Sequence, residues 1–229
     1  MRSTLRMTVD LAMTVLLPLL MAYALIGETT HEIIGTAMLL LLVAHHVLNR
    51  RWYAALFKGG YRAERAFKTA LDVMLLIALL LQPVSGILLS RRLYTFLPAL
   101  PVTAAAREIH MLGAYWSFVL MSVHVGTHLK PLWNRVKKRL PVKIALLVIA
   151  GLIAAYGGYA FFKRGLPAYL LHRNSFAFFD FDEPVARFLL DYVAVMVLLM
   201  LLGFLITEGL LRLDRIQNRK QIEKNGGTI

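Results

Sequence analysis

Long apolar stretches separated by short polar and basic connections dominate this chain of 229 residues. Six of the stretches approach the roughly 20 residues that an α-helix needs to cross the hydrocarbon core of a bilayer. They lie at about residues 8–26, 31–49, 69–89, 109–129, 142–162 and 186–207. The pattern predicts a single all-α integral membrane domain, residues 1–229, with six transmembrane helices.

Composition supports a membrane protein and excludes several other classes. Apolar residues make up 59% of the chain and charged residues only 17%, which is more apolar than a soluble domain of this size. The net charge of +13 comes from basic residues spread between the apolar stretches, so it does not indicate a nucleic-acid-binding domain. Cysteine is absent, which excludes disulfides, thiolate haem ligation, cysteine-ligated iron–sulfur clusters and covalently attached haem.

The basic residues predict the orientation of the helices in a prokaryotic cytoplasmic membrane. The connections at 50–68 and 130–143 each contain six Lys or Arg. With six spans, 19 of the 26 Lys and Arg fall on the side of the two termini and 7 on the other side. The positive-inside rule therefore predicts that both termini are cytoplasmic.

Four histidines form two pairs with the same spacing. His31 and His45 are fourteen residues apart, and so are His110 and His124. In an α-helix, fourteen residues rise about 21 Å and complete nearly four turns, so each pair lies on one stripe near opposite membrane faces. In antiparallel helices, His31 then matches His110 in depth on the outer side, and His45 matches His124 on the cytoplasmic side.

This arrangement predicts a four-helix bundle that holds two stacked b-type haems. A low-spin haem iron takes one imidazole on each side, so His31 and His110 would ligate an outer iron, and His45 and His124 an inner iron. Gly35 follows His31 by four residues and Gly113 follows His110 by three. Both glycines are predicted to leave clearance for a flat macrocycle, although small residues also serve ordinary helix packing.

The other histidines are less regular. His46 breaks the equal spacing that His45 keeps, and His128 lies on the stripe of His110 about 27 Å away. We assign His128 to a propionate, a proton path or a quinone site near the inner haem. His172 falls in an outer connection and is predicted to be a surface histidine.

Several charged residues flank the predicted ligands. Near the inner pair these are Arg50, Arg51 and Lys130, and near the outer pair they are Arg91, Arg92 and Arg107. They could contact haem propionates or a quinone, or they could only anchor the helices among lipid headgroups.

Two acidic features remain open as well. Asp10 and Asp72 lie near the cytoplasmic ends of their helices, where they could carry protons or simply sit at the interface. The acidic and aromatic segment at 176–184, which includes Phe178 and Phe179, could dock a redox partner or lie on the membrane.

These residues resemble a known family. The similarity covers His31, Ile33, Gly35, His45, Asn49, Arg50, Arg51 and Trp52, then Arg107, His110, Tyr115, Trp116, His124, Gly126 and His128, and finally the segment at 176–184. The pattern is similar to that of the flavinylation-associated cytochromes, once a domain of unknown function. The resemblance implies a haem-binding membrane bundle that works beside extracytoplasmic proteins with covalently bound flavin.

The family's histidine pattern corresponds to His31, His45, His110 and His124, and His128 also matches a motif position. No Ser/Thr-rich flavin-attachment segment occurs in this chain, so a flavin would belong to a separate protein.

Three functions are compatible with the sequence. The first is electron transfer through two bis-histidine haems between the quinone pool and an extracytoplasmic flavoprotein or other acceptor, as a membrane oxidoreductase component. The second is a haem enzyme that acts on a small redox species such as superoxide at the outer face. The third is a histidine-based metal transporter or membrane scaffold, which would lack the carboxylate and thiolate ligands usual in metal traffic.

Overall fold

The computed structural model describes residues 2–97, 103–136, 138, 140–174, 176–177 and 180–226. All regular structure in these ranges is helical. The helices are α1 (Arg2–Met21), α2 (Tyr23–Ile26), α3 (Glu28–Leu48), α4 (Arg51–Ala55), α5 (Ala63–Leu89), α6 (Ala104–Thr127), α7 (Lys130–Val136), α8 (Leu140–Lys163), α9 (Leu166–Leu170) and α10 (Val185–Gly226). Six of them, α1, α3, α5, α6, α8 and α10, are long and apolar enough to cross a membrane. The predicted all-α class and the six spans are therefore confirmed.

The helix boundaries differ from the predicted ones where the backbone chemistry changes. The first stretch is split, because α1 ends at Met21 and α2 begins at Tyr23. Pro18, which lacks a backbone N–H, lies inside α1 one turn before this break. Gly27, at φ +83°, then turns the chain into α3. At the other end of the chain, α10 continues far beyond residue 207, because no proline interrupts residues 208–226.

One half of the fold is a close-packed layer of helices. α5 packs on α6, α6 on α10, and α10 on α8. Glycines permit the close approach, since a methyl group at Gly126 would overlap the carbonyl oxygen of Met200, and one at Gly203 would overlap that of Val123. Small residues are the usual means by which membrane helices bring their backbones together.

The other half is more open. α1 packs along α3, while α3 contacts α5 only sparsely and makes no extensive backbone contact with α6. A space therefore remains between α3 and α6, with α1 and α5 on its flanks. We call the end of this space that carries His31 and His110 the outer end, and the end that carries His45 and His124 the inner end.

Beside the outer end, a network of charged residues joins α8 to α10. Asp191 of α10 is fully buried, and it accepts hydrogen bonds from Lys163 Nζ at 2.8 Å, Arg164 Nε at 2.7 Å and the Tyr156 hydroxyl. Arg164 also forms a bidentate pair with Glu183, both N–O distances being 2.6 Å. These hydrogen bonds from Arg164 hold the pKa of the Glu183 carboxyl below its usual value. Every buried charge in the network has a partner, as burial at membrane depth requires.

Replacing Asp191 with Asn is expected to destabilise the protein by about 3 kcal/mol, because two cations would lose their shared buried partner. This value is at the low end of the range for breaking a buried ion pair, because the Lys163 side chain is 27% exposed and water can partly solvate its charge. Thermal unfolding in detergent measures the loss. The exposed carboxylate of Asp182 provides the control, and Asp182→Asn should change stability by less than about 0.5 kcal/mol. Equal losses in the two variants would contradict a structural role for this network.

Candidate functional site

A cavity of about 520 Å³ lies at the outer end between α1, α3, α5 and α6. Its size falls within the range of about 300–1,000 Å³ that is typical of ligand and cofactor pockets. His31 enters the wall from α3 and His110 from α6. The structure thus brings the predicted outer pair into one cavity from opposite sides.

The spacing of the two imidazoles fits a single metal ion between them. The ring centres of His31 and His110 are 6.2 Å apart. With a metal–nitrogen distance of about 2.0–2.1 Å and a ring centre about 1.1 Å behind the nitrogen, two imidazoles on opposite sides of one ion have centres about 6.3 Å apart. Because the backbones of α3 and α6 remain apart, only the ends of these side chains close the gap.

Helix α5 fixes the orientation of His110. The Ser85 hydroxyl donates to the backbone carbonyls of Leu81 at 2.8 Å and Gln82 at 3.1 Å. Its oxygen, 3.1 Å from His110 Nδ1, is therefore placed to accept the imidazole N–H. Gly86 leaves room for the ring, since a Cβ there would be 3.3 Å from His110 Cε1. This tautomer leaves the lone pair of Nε2 free, as in metal-bound histidines whose other nitrogen donates to a fixed acceptor.

His31 has a different environment. Its ring packs edge-on against Tyr23, with centres 5.0 Å apart. The Leu20 carbonyl is a polar neighbour of the ring, but the buried Nδ1 atom makes no hydrogen bond of standard geometry. Unpaired buried nitrogens are uncommon in proteins and often mark a site that binds a further group.

At the inner end, both predicted ligands are oriented by carboxylates. His45 Nδ1 lies 2.7 Å from an oxygen of Asp10 on α1, and His124 Nδ1 lies 2.7 Å from an oxygen of Asp72 on α5. A histidine that donates one N–H to a carboxylate keeps its second nitrogen free for a metal. The sequence left the role of both aspartates open, because it did not show which helices are neighbours. The sequence did place both aspartates near the cytoplasmic ends of their helices, at the depth predicted for His45 and His124, and this was the signal that could have paired them.

The inner histidines are not placed opposite each other in the way the outer pair is. Among the described residues, the ring contacts of His45 and His124 are with neighbours on the same helix or just after it. His45 contacts His46, with centres 5.4 Å apart, and His124 contacts His128, with centres 4.8 Å apart. His45 and His124 lie at the same end of the space, but their rings do not contact each other as the rings of His31 and His110 do.

The remaining histidines have other partners. His46 Nδ1 lies 2.8 Å from the Tyr53 hydroxyl on α4. His128 is exposed at the end of α6, close to the inner pair. His172 lies on the surface with φ +53°, 3.8 Å from Glu108, in the type of position that the sequence predicted.

The two glycines predicted to clear space for a macrocycle differ. Gly35 lines the cavity, and a Cβ there would meet only Leu20 Cδ2 at 3.9 Å. Gly113 instead faces α5, where a Cβ would overlap the amide nitrogen of Gln82. The missing side chain of Gly113 therefore accommodates Gln82, whose amide donates to the His110 carbonyl at 2.9 Å, and the prediction of haem clearance has no support there. Gly86, which the sequence analysis missed, is the glycine that contacts a histidine ring.

The outer arginines divide into two groups. Arg91 and Arg107 line the cavity, where a guanidinium could pair with an anionic group of a ligand. Arg92 does not line the cavity, and its Nε atom pairs with Glu28, a residue of the cavity wall, at 3.2 Å.

The inner basic residues do not converge on a ligand position. Arg50 and Arg51 are exposed around the start of α4. Lys130 pairs with Glu208 of α10 at 2.7 Å, so its predicted contact with a propionate or quinone competes with an ion pair between helices. The ordinary role of anchoring helices at the interface accounts for these three side chains.

The acidic and aromatic segment reaches the cavity. Phe176 and Ala177 line it, and Phe181 and Asp182 are exposed beyond it. Phe178 and Phe179 lie outside the described residues.

The described part of the chain contains no group of three or more His, Asp or Glu side chains arranged to hold a metal ion. A haem iron needs only two protein ligands. Comparison of the chain with protein-family models, curated proteins and solved structures gives no significant match.

Proposed function

We propose that this protein is a membrane cytochrome b that carries electrons across the bilayer through two bis-histidine haems. The observation that carries the proposal is the outer pair, because the rings of His31 and His110 line one cavity with their centres 6.2 Å apart and their planes at 76°. The two carboxylate–histidine pairs at the inner end add a second set of oriented imidazoles. Both ends together account for all four histidines of the repeated spacing.

The roles of the side chains follow from their positions. Haem b, when bound, supplies a one-electron couple between Fe(III) and Fe(II). His31 and His110 are the proposed ligands at the outer end, with Ser85 orienting His110. His45 and His124 are the proposed inner ligands. Arg91 and Arg107 are placed to neutralise propionates at the outer cavity, and the apolar walls exclude water.

The proposed electron donors and acceptors meet the protein at its two faces. A quinol or quinone, which dissolves in the bilayer, suits the inner end, where His128 is exposed and its ring centre lies 4.8 Å from that of His124. An extracytoplasmic flavoprotein or other acceptor suits the outer end, where Phe176 brings the acidic segment to the cavity wall. With the charge distribution of the sequence, both termini of this integral membrane protein are cytoplasmic.

The first test is the haem content of the purified protein. We expect two b-type haems per chain, extractable by acid acetone because the chain has no cysteine for covalent attachment. Reduced-minus-oxidised visible spectra with a haem-to-protein ratio give the number. A colourless protein after expression with ample haem supply would refute the proposal.

The second test is transfer across a membrane. In proteoliposomes with an oxidant enclosed and a quinol outside, or with the reverse arrangement, we expect both haems to pass electrons between the two compartments. The haem Soret band reports reduction, and the trapped oxidant reports transfer. Fully haem-loaded protein that transfers no electrons between any quinol and any acceptor would indicate storage or sensing instead.

A further inference from the structure

The two ends of the proposed haem site differ in what holds the imidazoles. At the inner end, each Nδ1 atom is 2.7 Å from a carboxylate oxygen, that of Asp10 or that of Asp72. At the outer end, His110 has a neutral hydroxyl partner at 3.1 Å, and His31 Nδ1 has no partner of standard geometry. The sequence spacing makes the two ends look equivalent, but these contacts make them chemically different.

From this difference we infer that Asp10 and Asp72 give the inner site a lower reduction potential than the outer site, so that electrons pass most favourably from the inner to the outer end. This inference rests on the proposed function. An imidazole that donates its N–H to a carboxylate is a more basic ligand, and it favours Fe(III), which carries one more positive charge than Fe(II). A hydroxyl partner has a much weaker effect, because it carries no net charge.

Other charges at the two ends act less directly than these carboxylates, which are hydrogen-bonded to the inner imidazoles. Near the inner end, Lys68 pairs with Glu64 at 2.5 Å and Lys130 with Glu208 at 2.7 Å, while Arg50 and Arg51 are exposed, where solvent screens their charge. Asp10 and Asp72 therefore keep their effect on the inner imidazoles.

At the outer end, the cavity wall contains the cations Arg91 and Arg107 and the carboxylates Glu28 and Glu32, and Glu28 also pairs with Arg92 at 3.2 Å. The Glu32 carboxylate accepts hydrogen bonds from the Ser90 hydroxyl at 2.7 Å and from the backbone N–H groups of Arg91 and Leu93 at 2.9 and 2.7 Å. These three neutral donors stabilise the carboxylate, which keeps its negative charge. Arg91 and Arg107 thus balance the two carboxylates of the wall, and neither outer imidazole has the carboxylate partner that each inner imidazole has.

The difference in reduction potential between the two sites gives the direction of electron transfer. One electron that leaves the inner iron returns it to Fe(III) and reduces the outer iron from Fe(III) to Fe(II), with no proton required. A quinol at the inner end would then give up two electrons, one at a time, and release two protons there, and an acceptor at the outer end would take each electron from the outer iron.

A redox titration of the purified protein tests the inference. The wild type should titrate in two steps. His31→Ala, which keeps the inner ligands, should retain the component of lower potential, and His124→Ala should retain the component of higher potential. This comparison orders the two sites without changing either aspartate.

The aspartates are then tested directly. Asp10→Asn and Asp72→Asn should each shift the Fe(III)/Fe(II) equilibrium of the inner site toward Fe(II) on the order of tenfold, which is about 59 mV for one electron. Asp72→Glu, which keeps the carboxylate, should restore most of the low potential. Ser85→Ala is the matched control at the outer end, and it should leave the lower component unchanged.

The outcomes separate the two proposals. Two haems whose order of potentials is reversed, or an inner component that neither Asn variant shifts, would overturn the inference and leave the proposed function intact. A protein that binds no haem would overturn both.

Discussion

His31→Ala and His110→Ala are each expected to lower the haem content from two per chain to one, and both should remove the same haem. The reason is that the same iron would lose one of its two protein ligands in either variant, because the two rings line one cavity with their centres 6.2 Å apart. Visible spectra and the haem-to-protein ratio give the loss. Electron paramagnetic resonance of the oxidised protein should show the same remaining low-spin signal in the two variants.

Two further variants make this prediction specific. His172→Ala removes a histidine on the same side that lies on the surface, and it should keep both haems. Ser85→Ala removes only the group that orients His110, so haem affinity at the outer end should fall about 10–100-fold without complete loss. If His31→Ala and His110→Ala removed different haems, the ligands would pair along each helix and the cross-bundle assignment would be wrong.

The helix content, the six apolar helices and the shared helix face of each histidine pair could be predicted because they depend on short-range periodicity. Twenty apolar residues need a helix in lipid, and a fourteen-residue interval returns to the same helix face whatever the neighbouring helices are. The helix ends were less predictable. The break at Ala22 and the extension of α10 to Gly226 depend on local backbone contacts and on residues outside the apolar core.

The polar contacts of the site needed the tertiary structure. Asp10, Asp72 and Ser85 each lie on a helix that neighbours the histidine they contact, and hydropathy does not show which helices are neighbours. The same limit explains Gly113, which was expected to face a macrocycle but faces Gln82. It also explains Lys130, whose partner Glu208 lies far away in the sequence.

Loss of the inner haem is expected to reduce transfer across the membrane to the rate of liposomes without haem-loaded protein. His45→Ala and His124→Ala should each cause this loss, because the outer haem alone would be separated from a donor at the inner face by most of the bilayer. Asp10→Asn and Asp72→Asn, which keep the ligands but remove the orienting carboxylates, should weaken haem binding at the inner end about 10–100-fold.

His46 provides the matched control, because it adjoins His45 in the same helix and at nearly the same depth. Its Nδ1 atom lies 2.8 Å from the Tyr53 hydroxyl, whereas that of His45 lies 2.7 Å from the Asp10 carboxylate, the stronger orienting partner for a metal ligand. His46→Asn should therefore keep two haems and full transfer in the proteoliposome assay. His45→Asn should lose the inner haem and, with it, transfer across the membrane. The opposite result would assign the inner ligand to His46, and the carboxylate of Asp10 would then serve a histidine outside the haem pair.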